Sequence, residues 1–107
     1  MDKNSCCVIM TTTDDEKTAK KLATVLVESK LAACVQIDDI RSVFCFADNL
    51  QEGKEYRLMI KALSNNYGLI EQKIREHHNY EVPEIIKLEI KEGLPQYISW
   101  IRETSER

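Results

Sequence analysis

The spacing of apolar residues along this chain switches between the period of a strand and the period of a helix, and the order of those switches constrains the fold more than any other feature. Cys6-Cys7-Val8-Ile9-Met10-Thr11-Thr12 is a short apolar run closed by a polar cluster, which predicts a buried strand. Thr13-Asp14-Asp15-Glu16 follows with the pattern of a capping box, Thr13 as the capping residue and Glu16 reaching back to its amide. Ala19, Leu22, Ala23, Leu26 and Val27 then form one stripe of a helix running to about Ser29, with Lys17, Lys20, Lys21 and Glu28 on the wet side. Ala33, Val35 and Ile37 next alternate with Cys34 and Gln36, predicting a strand that bends at Asp38-Asp39 and continues through Phe46.

The second half repeats the order. Residues 47–53 are polar enough for a connection, and Tyr56, Leu58, Ile60 and Ala62 alternate with Arg57, Met59 and Lys61, so the two strands read as a hairpin. Ser64-Asn65-Asn66 offers capping side chains for a helix whose face is Leu69, Ile70, Ile74 and His77, ending near His78. Pro83 suits the first position of a strand over Glu84 to Ile90, with Ile86, Leu88 and Ile90 pointing inward. Beyond Gly93-Leu94-Pro95, the residues Tyr97, Trp100 and Ile101 share a face of a terminal helix. The order β-α-β-β-α-β plus a C-terminal helix predicts a single α+β domain over 1–107. It is the ferredoxin-like split βαβ sandwich, two helices on one face of a four-stranded antiparallel sheet. The other face, with Cys34, Gln36, Met59 and Lys61, is too apolar to be simply solvated and too polar to be a core, and reads as a surface that meets another subunit.

Composition sets the remaining bounds. With 43% hydrophobic and 31% charged residues, 107 residues suit one soluble globular domain. Fifteen basic against eighteen acidic side chains give a net charge of -3, so nucleic acid and anionic membranes are not expected partners. The first residues lack the pattern of a secretory leader and no apolar run approaches the about 18 residues of a membrane span, so the expected location is the cytoplasm. Cys6, Cys7, Cys34 and Cys45 have no C-x-x-C partner and are expected to be free thiols.

Enzymatic chemistry has no visible carrier. Gly53, Gly68 and Gly93 stand alone and form no phosphate loop, no serine sits in a nucleophile elbow, and the expectation is a protein that is not an enzyme. The segment with most chemical potential is His77-His78-Asn79-Tyr80-Glu81-Val82-Pro83-Glu84, two imidazoles and two carboxylates between a helix end and a strand start. Imidazole suits copper and zinc, and His77 and His78 are the candidate metal ligands. Neighbours on a helix point about 100° apart, so they are not a natural chelating pair. The alternative is that His77 packs in the Ile70-Ile74 face while His78 caps the helix, its protonated ring meeting the dipole. Glu55 and Lys61, on the same side of one strand, are read as ion-pair formers with neighbouring strands or subunits.

Taken together these segments resemble the CutA divalent-cation tolerance family from Val8 to Ile101. Leu31-Ala32-Ala33-Cys34-Val35 is similar to that family's L-A-A-C-V, Ser42-Val43-Phe44-Cys45-Phe46 to its S-[IL]-Y-x-W, and Ile60-Lys61-Ala62 to its I-K-T. His78 to Glu84 resembles its H-P-Y-E-V-P-E, and Tyr97-Ile98-Ser99-Trp100 its Y-L-x-W. The resemblance implies a ferredoxin-like subunit in a homotrimer, similar to the PII signalling proteins, that binds copper or another divalent cation and acts in the response to metal ions. It also implies inter-subunit clefts lined by Phe44, Lys61, Tyr80 and Glu84 that take a divalent cation or a small ligand. The family's bacterial copper site maps onto Thr11, His77 and His78, and here Thr11 stands in place of a thiol. Phe44 and Phe46 replace the usual Tyr and Trp. A PII-like signalling or scaffold protein with incidental metal binding is the alternative reading.

Overall fold

A computed structural model describes residues 5–106; Met1 to Asn4 and Arg107, which the sequence reading counts within its single domain, lie outside the described residues. The chain forms β1 (Cys6–Thr13), α1 (Glu16–Glu28), β2 (Cys34–Phe46), β3 (Asn49–Leu63), a 3₁₀ turn (Ser64–Asn66), α2 (Tyr67–His77), β4 (Ile85–Glu89) and α3 (Pro95–Thr104). The sheet order is β2-β3-β1-β4 with every neighbouring pair antiparallel. This is the expected α+β split βαβ arrangement.

Two clusters hold the layers together. Leu22 and Leu26 of α1 and Ile70 and Ile74 of α2 meet Cys7 and Ile9 of β1 and Leu58, Ile60 and Ala62 of β3 in the main core. Each fully buried Leu or Ile there contributes about 1.5–3 kcal/mol relative to exposure. The helices lie over the two central strands, so the alternation of Tyr56 to Ala62 reads correctly. On the opposite face, α3 brings Ile101 against Cys6, Ala33 and Leu63, with Ile90 and Ile98 beside them. That cluster covers one end of the face and leaves the rest open.

Several local expectations change. The capping residue of α1 is Asp15, not Thr13: its carboxylate accepts from the Thr18 amide at 3.0 Å. Thr13 ends β1, fully buried, with its hydroxyl accepting from the Asp15 amide at 3.2 Å. The helix start slides because Asp and Thr both cap and β1 claims the Thr. Val27, placed on the buried stripe, is 41% exposed at the rim of the helix layer. At the other end, Lys30 takes φ 63°, its amide meeting the Val27 carbonyl while Leu31 reaches back to Leu26. Those two bonds make a Schellman stop.

The hairpin is longer and tighter than expected. β2 does not bend at Asp38-Asp39 but pairs residue by residue from Cys34↔Lys61 to Phe46↔Asn49. Ala47 and Asp48 alone make the turn, both at positive φ (51° and 64°), so Gln51, Glu52 and Gly53 lie in the strand and not in a connection. A two-residue turn with both φ positive matches the right-handed twist of paired strands. β1 ends opposite Tyr56, so the hairpin beyond that point has no third strand beside it.

β4 turns its sides the other way from the sequence reading. Ile86 and Leu88 pair with Met10 and Val8 on the open face and are 44% and 53% exposed, whereas Ile85 packs against the main core. The helix-facing side of this edge strand carries Lys87 and Glu89, 3.0 Å apart. Glu89 also accepts from Ser64 at 2.8 Å and from Ser5 at 3.3 Å. A rim position tolerates charges so paired. Asn66, read as a helix cap, makes no side-chain cap and ties the Leu31 and Ser105 carbonyls together at 3.0 and 2.9 Å.

Candidate functional site

The link between α2 and β4 passes the end of β1 and the root of the hairpin, and His78 fixes its course. His78 leaves the helix with extended backbone (φ -76°, ψ 147°) while its amide still bonds to the Ile74 carbonyl at 2.9 Å. The Tyr80 amide donates to His78 Nδ1 at 3.0 Å. An amide can only donate, so Nδ1 must carry a lone pair, and the neutral ring's proton sits on Nε2. Nε2 lies 2.8 Å from the Thr12 carbonyl, which accepts it. Burial pushes the imidazole's pKa below its ordinary value, against opposing pulls from the Thr12 carbonyl, Asp14 and Glu55. The ring that the sequence suggested as a protonated cap is therefore a neutral one with both nitrogens in use.

Tyr80 carries the network onward. Its ring lies 4.9 Å from that of His78, and its hydroxyl donates to Glu55 Oε2 at 2.6 Å. The other carboxylate oxygen of Glu55 accepts from Ser42 at 2.6 Å. Burial, and then the hydrogen bond to Glu55, push the phenol's pKa up, so Tyr80 stays a donor. Beside it, Asn79 bridges the Thr13 hydroxyl at 2.5 Å and Asp14 at 2.8 Å. Glu55 thus serves Tyr80 and Ser42 instead of the ion-pair role read for it. Ser42 and Glu55 were missed as members of this site because their closeness depends on hairpin register. Ala-Asp is not the Asn-Gly or Asp-Gly signature that would announce that turn.

The predicted cleft residues do not meet within one chain. Lys61 lies on the open sheet face, its ammonium donating to Gln36 Oε1 at 2.6 Å and sitting 5.5 Å above the Tyr97 ring, which stacks on Trp100 at 5.6 Å. Phe44 is 47% exposed on the hairpin, Tyr80 lies at the hairpin root, and Glu84 is exposed just before β4. His77 is half-buried at the last residue of α2.

Among the described residues no three His, Cys, Asp or Glu side chains gather to hold a metal ion. Thr11, in the thiol's place, is fully buried and its hydroxyl has no partner. Cys7, a buried thiol on the same face of β1 with Ile9 between it and Thr11, is pushed up to about 11 by burial, away from the thiolate a soft metal needs. Among the described residues of one chain the donors do not gather into a metal site.

What the fold leaves uncovered is apolar. Val8, Met10 and Met59 are half-buried on the open face beside Ile86 and Leu88. On the hairpin, Val43, Phe44, Phe46 and Leu50 are 47–79% exposed. Phe44 and Phe46 point to one side of the ribbon, and Val43 and Leu50 to the other. Both sides of the hairpin therefore present apolar groups to solvent.

Three comparisons bear on this geometry. The family model described as "CutA1 divalent ion tolerance protein" matches residues 7–104. Protein CutA of Mus musculus is 37% identical over 92 residues, covering 85% of this chain and 52% of the mouse protein. The chain spans about half the length of the animal curated relatives it matches. Among solved structures, CutA1 from Shewanella sp. SIB1 superposes with a TM-score of 0.91 at 38% identity, covering 99% of this chain and 100% of that one. The CutA of Archaeoglobus fulgidus, described as a periplasmic divalent cation tolerance protein, gives a TM-score of 0.91 at 31% identity, covering 94% and 99%.

Proposed function

The chain belongs to the CutA1 divalent ion tolerance protein family, and on that premise we propose that it works as a self-associating trimeric module of the response to divalent cations, not as an enzyme. The observation that carries the reading is the uncovered apolar surface, continuous in kind across the open sheet face and both sides of the hairpin. Exposed apolar groups on this scale mark an interaction surface, and a bare two-stranded ribbon is marginal in water. The free edges of β2 and β4 offer backbone hydrogen bonds to a second copy. Three copies closing their open faces on one another would bury Ile86, Leu88, Met10 and Met59 and seat each hairpin against a neighbour. Phe44, Lys61, Tyr80 and Glu84 would then line clefts between copies.

The reading is tested by Ile86→Lys with Leu88→Lys, which places two like charges in the proposed interface while leaving the helix-facing core alone. The expected result is a folded monomer by sedimentation and circular dichroism. A double variant with the same mass distribution as the wild type would refute the assignment of that face.

Copper or another divalent cation is placed by this proposal between copies, where His77 and Glu84 of one chain can be joined by donors of the next. His78 enters only by giving up the bond from the Tyr80 amide. The occupied ring nitrogens of His78 favour one alternative, a PII-like signalling or scaffold trimer in which metal binding is incidental. Calorimetric titration of Cu²⁺ into wild type, His77→Ala and His78→Ala separates the two. Heat lost in either variant supports the cation site, and indistinguishable isotherms leave the scaffold reading. The cytoplasm remains the proposed compartment, in keeping with four unbridged thiols.

A further inference from the structure

From 43 to 54 every hairpin residue is exposed, while Ser42 and Glu55 at its root are half-buried. β1 stops opposite Tyr56, so no strand steadies the hairpin beyond that point. What reaches it there is the α2–β4 link, through the Tyr80 hydroxyl on Glu55 at 2.6 Å, with Ser42 holding the second oxygen of the same carboxylate at 2.6 Å. The Tyr80 end is itself fastened to the body, because its amide is bound to His78, whose ring is bound to the Thr12 carbonyl near the end of β1. Asn79 adds a second attachment to Thr13 and Asp14. A continuous chain of hydrogen bonds therefore runs from the core strand to the root of the hairpin that extends beyond the end of β1.

We infer that Tyr80 and Glu55 form a latch that sets the direction in which the hairpin leaves the subunit, with Ser42 orienting the carboxylate. Tyr80 is a positioning residue: it does not touch the tip, but it fixes the pivot about which residues 41–54 swing. A ribbon of this length turns a small rotation at its root into a large displacement at Phe46 and Leu50. An arm held in one direction meets its neighbour without first losing that freedom, which is preorganisation in the ordinary sense. The consequence for assembly rests on the trimer reading above; the latch itself does not.

The sequence explains the parts. Glu55 lies at the position diagonal to Ser42 across the hairpin, so one carboxylate can serve both hydroxyls. Both hydroxyls sit 2.6 Å from the carboxylate oxygens, within the range of short O–H···O bonds to a carboxyl group. Phenylalanine at 80 would keep the ring against His78 and lose only the latch.

The test is hydrogen–deuterium exchange on the full chain, read separately for residues 41–54 and for β1 and α1, in wild type, Tyr80→Phe, Ser42→Ala and the double variant. Tyr80→Phe is expected to speed exchange in the arm about tenfold, the factor that one charge-assisted hydrogen bond is worth, and to leave β1 and α1 unchanged. Ser42→Ala acts through Glu55, so it is expected to add little in the Tyr80→Phe background. Arm exchange that is unchanged in Tyr80→Phe, or equal acceleration in arm and core, overturns the latch. So does full additivity of the two substitutions. Sedimentation of the same samples reads assembly independently: a wild type that is monomeric sinks the trimer reading, and the exchange result still decides the latch.

Discussion

At the scale of single residues, His78 shows how a side chain's role follows from what its neighbours can donate. The Tyr80 amide forces a lone pair on Nδ1 and the Thr12 carbonyl takes the Nε2 proton, so charging the ring breaks a bond the loop depends on. Its pKa lies below that of an unfolded histidine, about 6.5, chiefly through burial. Below that pH the unfolded chain takes up a proton that the folded chain resists, so this contribution to stability is complete above about pH 6.5 and falls as the pH drops toward the folded value. Urea unfolding at pH 7.5 and 5.5 should show wild type losing more stability over that interval than His78→Gln. Equal losses would contradict the lowered pKa of the folded ring. Carboxylates titrate in both proteins, and the comparison between the two cancels them.

At the scale of elements, what the sequence could and could not reveal divides along physical lines. Strong periodicity in α1 and in Tyr56 to Ala62 was legible because those segments pack against a full layer. β4 was misread because Ile86, Leu88 and Ile90 make its apolar side while Ile85 shares a side with Lys87 and Glu89, and only pairing with β1 shows that Ile86 and Leu88 belong to the open face. The hairpin was misread because its turn opens on Ala47, a residue that seldom takes positive φ, with Asp48 and no glycine after it. The helix stop at Lys30 hides for the same reason, since glycine usually stands there. Of the candidate site, the His78–Tyr80 half was visible as a motif, whereas Glu55 and Ser42 depend on register. Non-glycine residues in the left-handed region cost about 1 kcal/mol. Lys30→Gly and Asp48→Gly should therefore each gain stability, by up to about 1 kcal/mol after glycine's entropic penalty. Urea midpoints check this, and a loss at either position would show that the native side chain makes compensating contacts there.

At the scale of the whole molecule, the chain is an elongated body, 44 × 25 × 21 Å, whose apolar residues are only partly covered by its own three helices. Two clusters account for the buried apolar groups, and many of the hydrophobic side chains left exposed lie on the open sheet face and along the hairpin. Family membership and the physical argument meet at this point. The single chain exposes Phe46 and Leu50 at 69% and 79%, and the proposed assembly would cover them. The measurement that bears most directly on the account is the mass of the wild-type protein in solution, by sedimentation equilibrium across a wide range of concentration. The account predicts a single species at three times the 12.4 kDa chain that persists on dilution. A species at the mass of one chain throughout the range would contradict it.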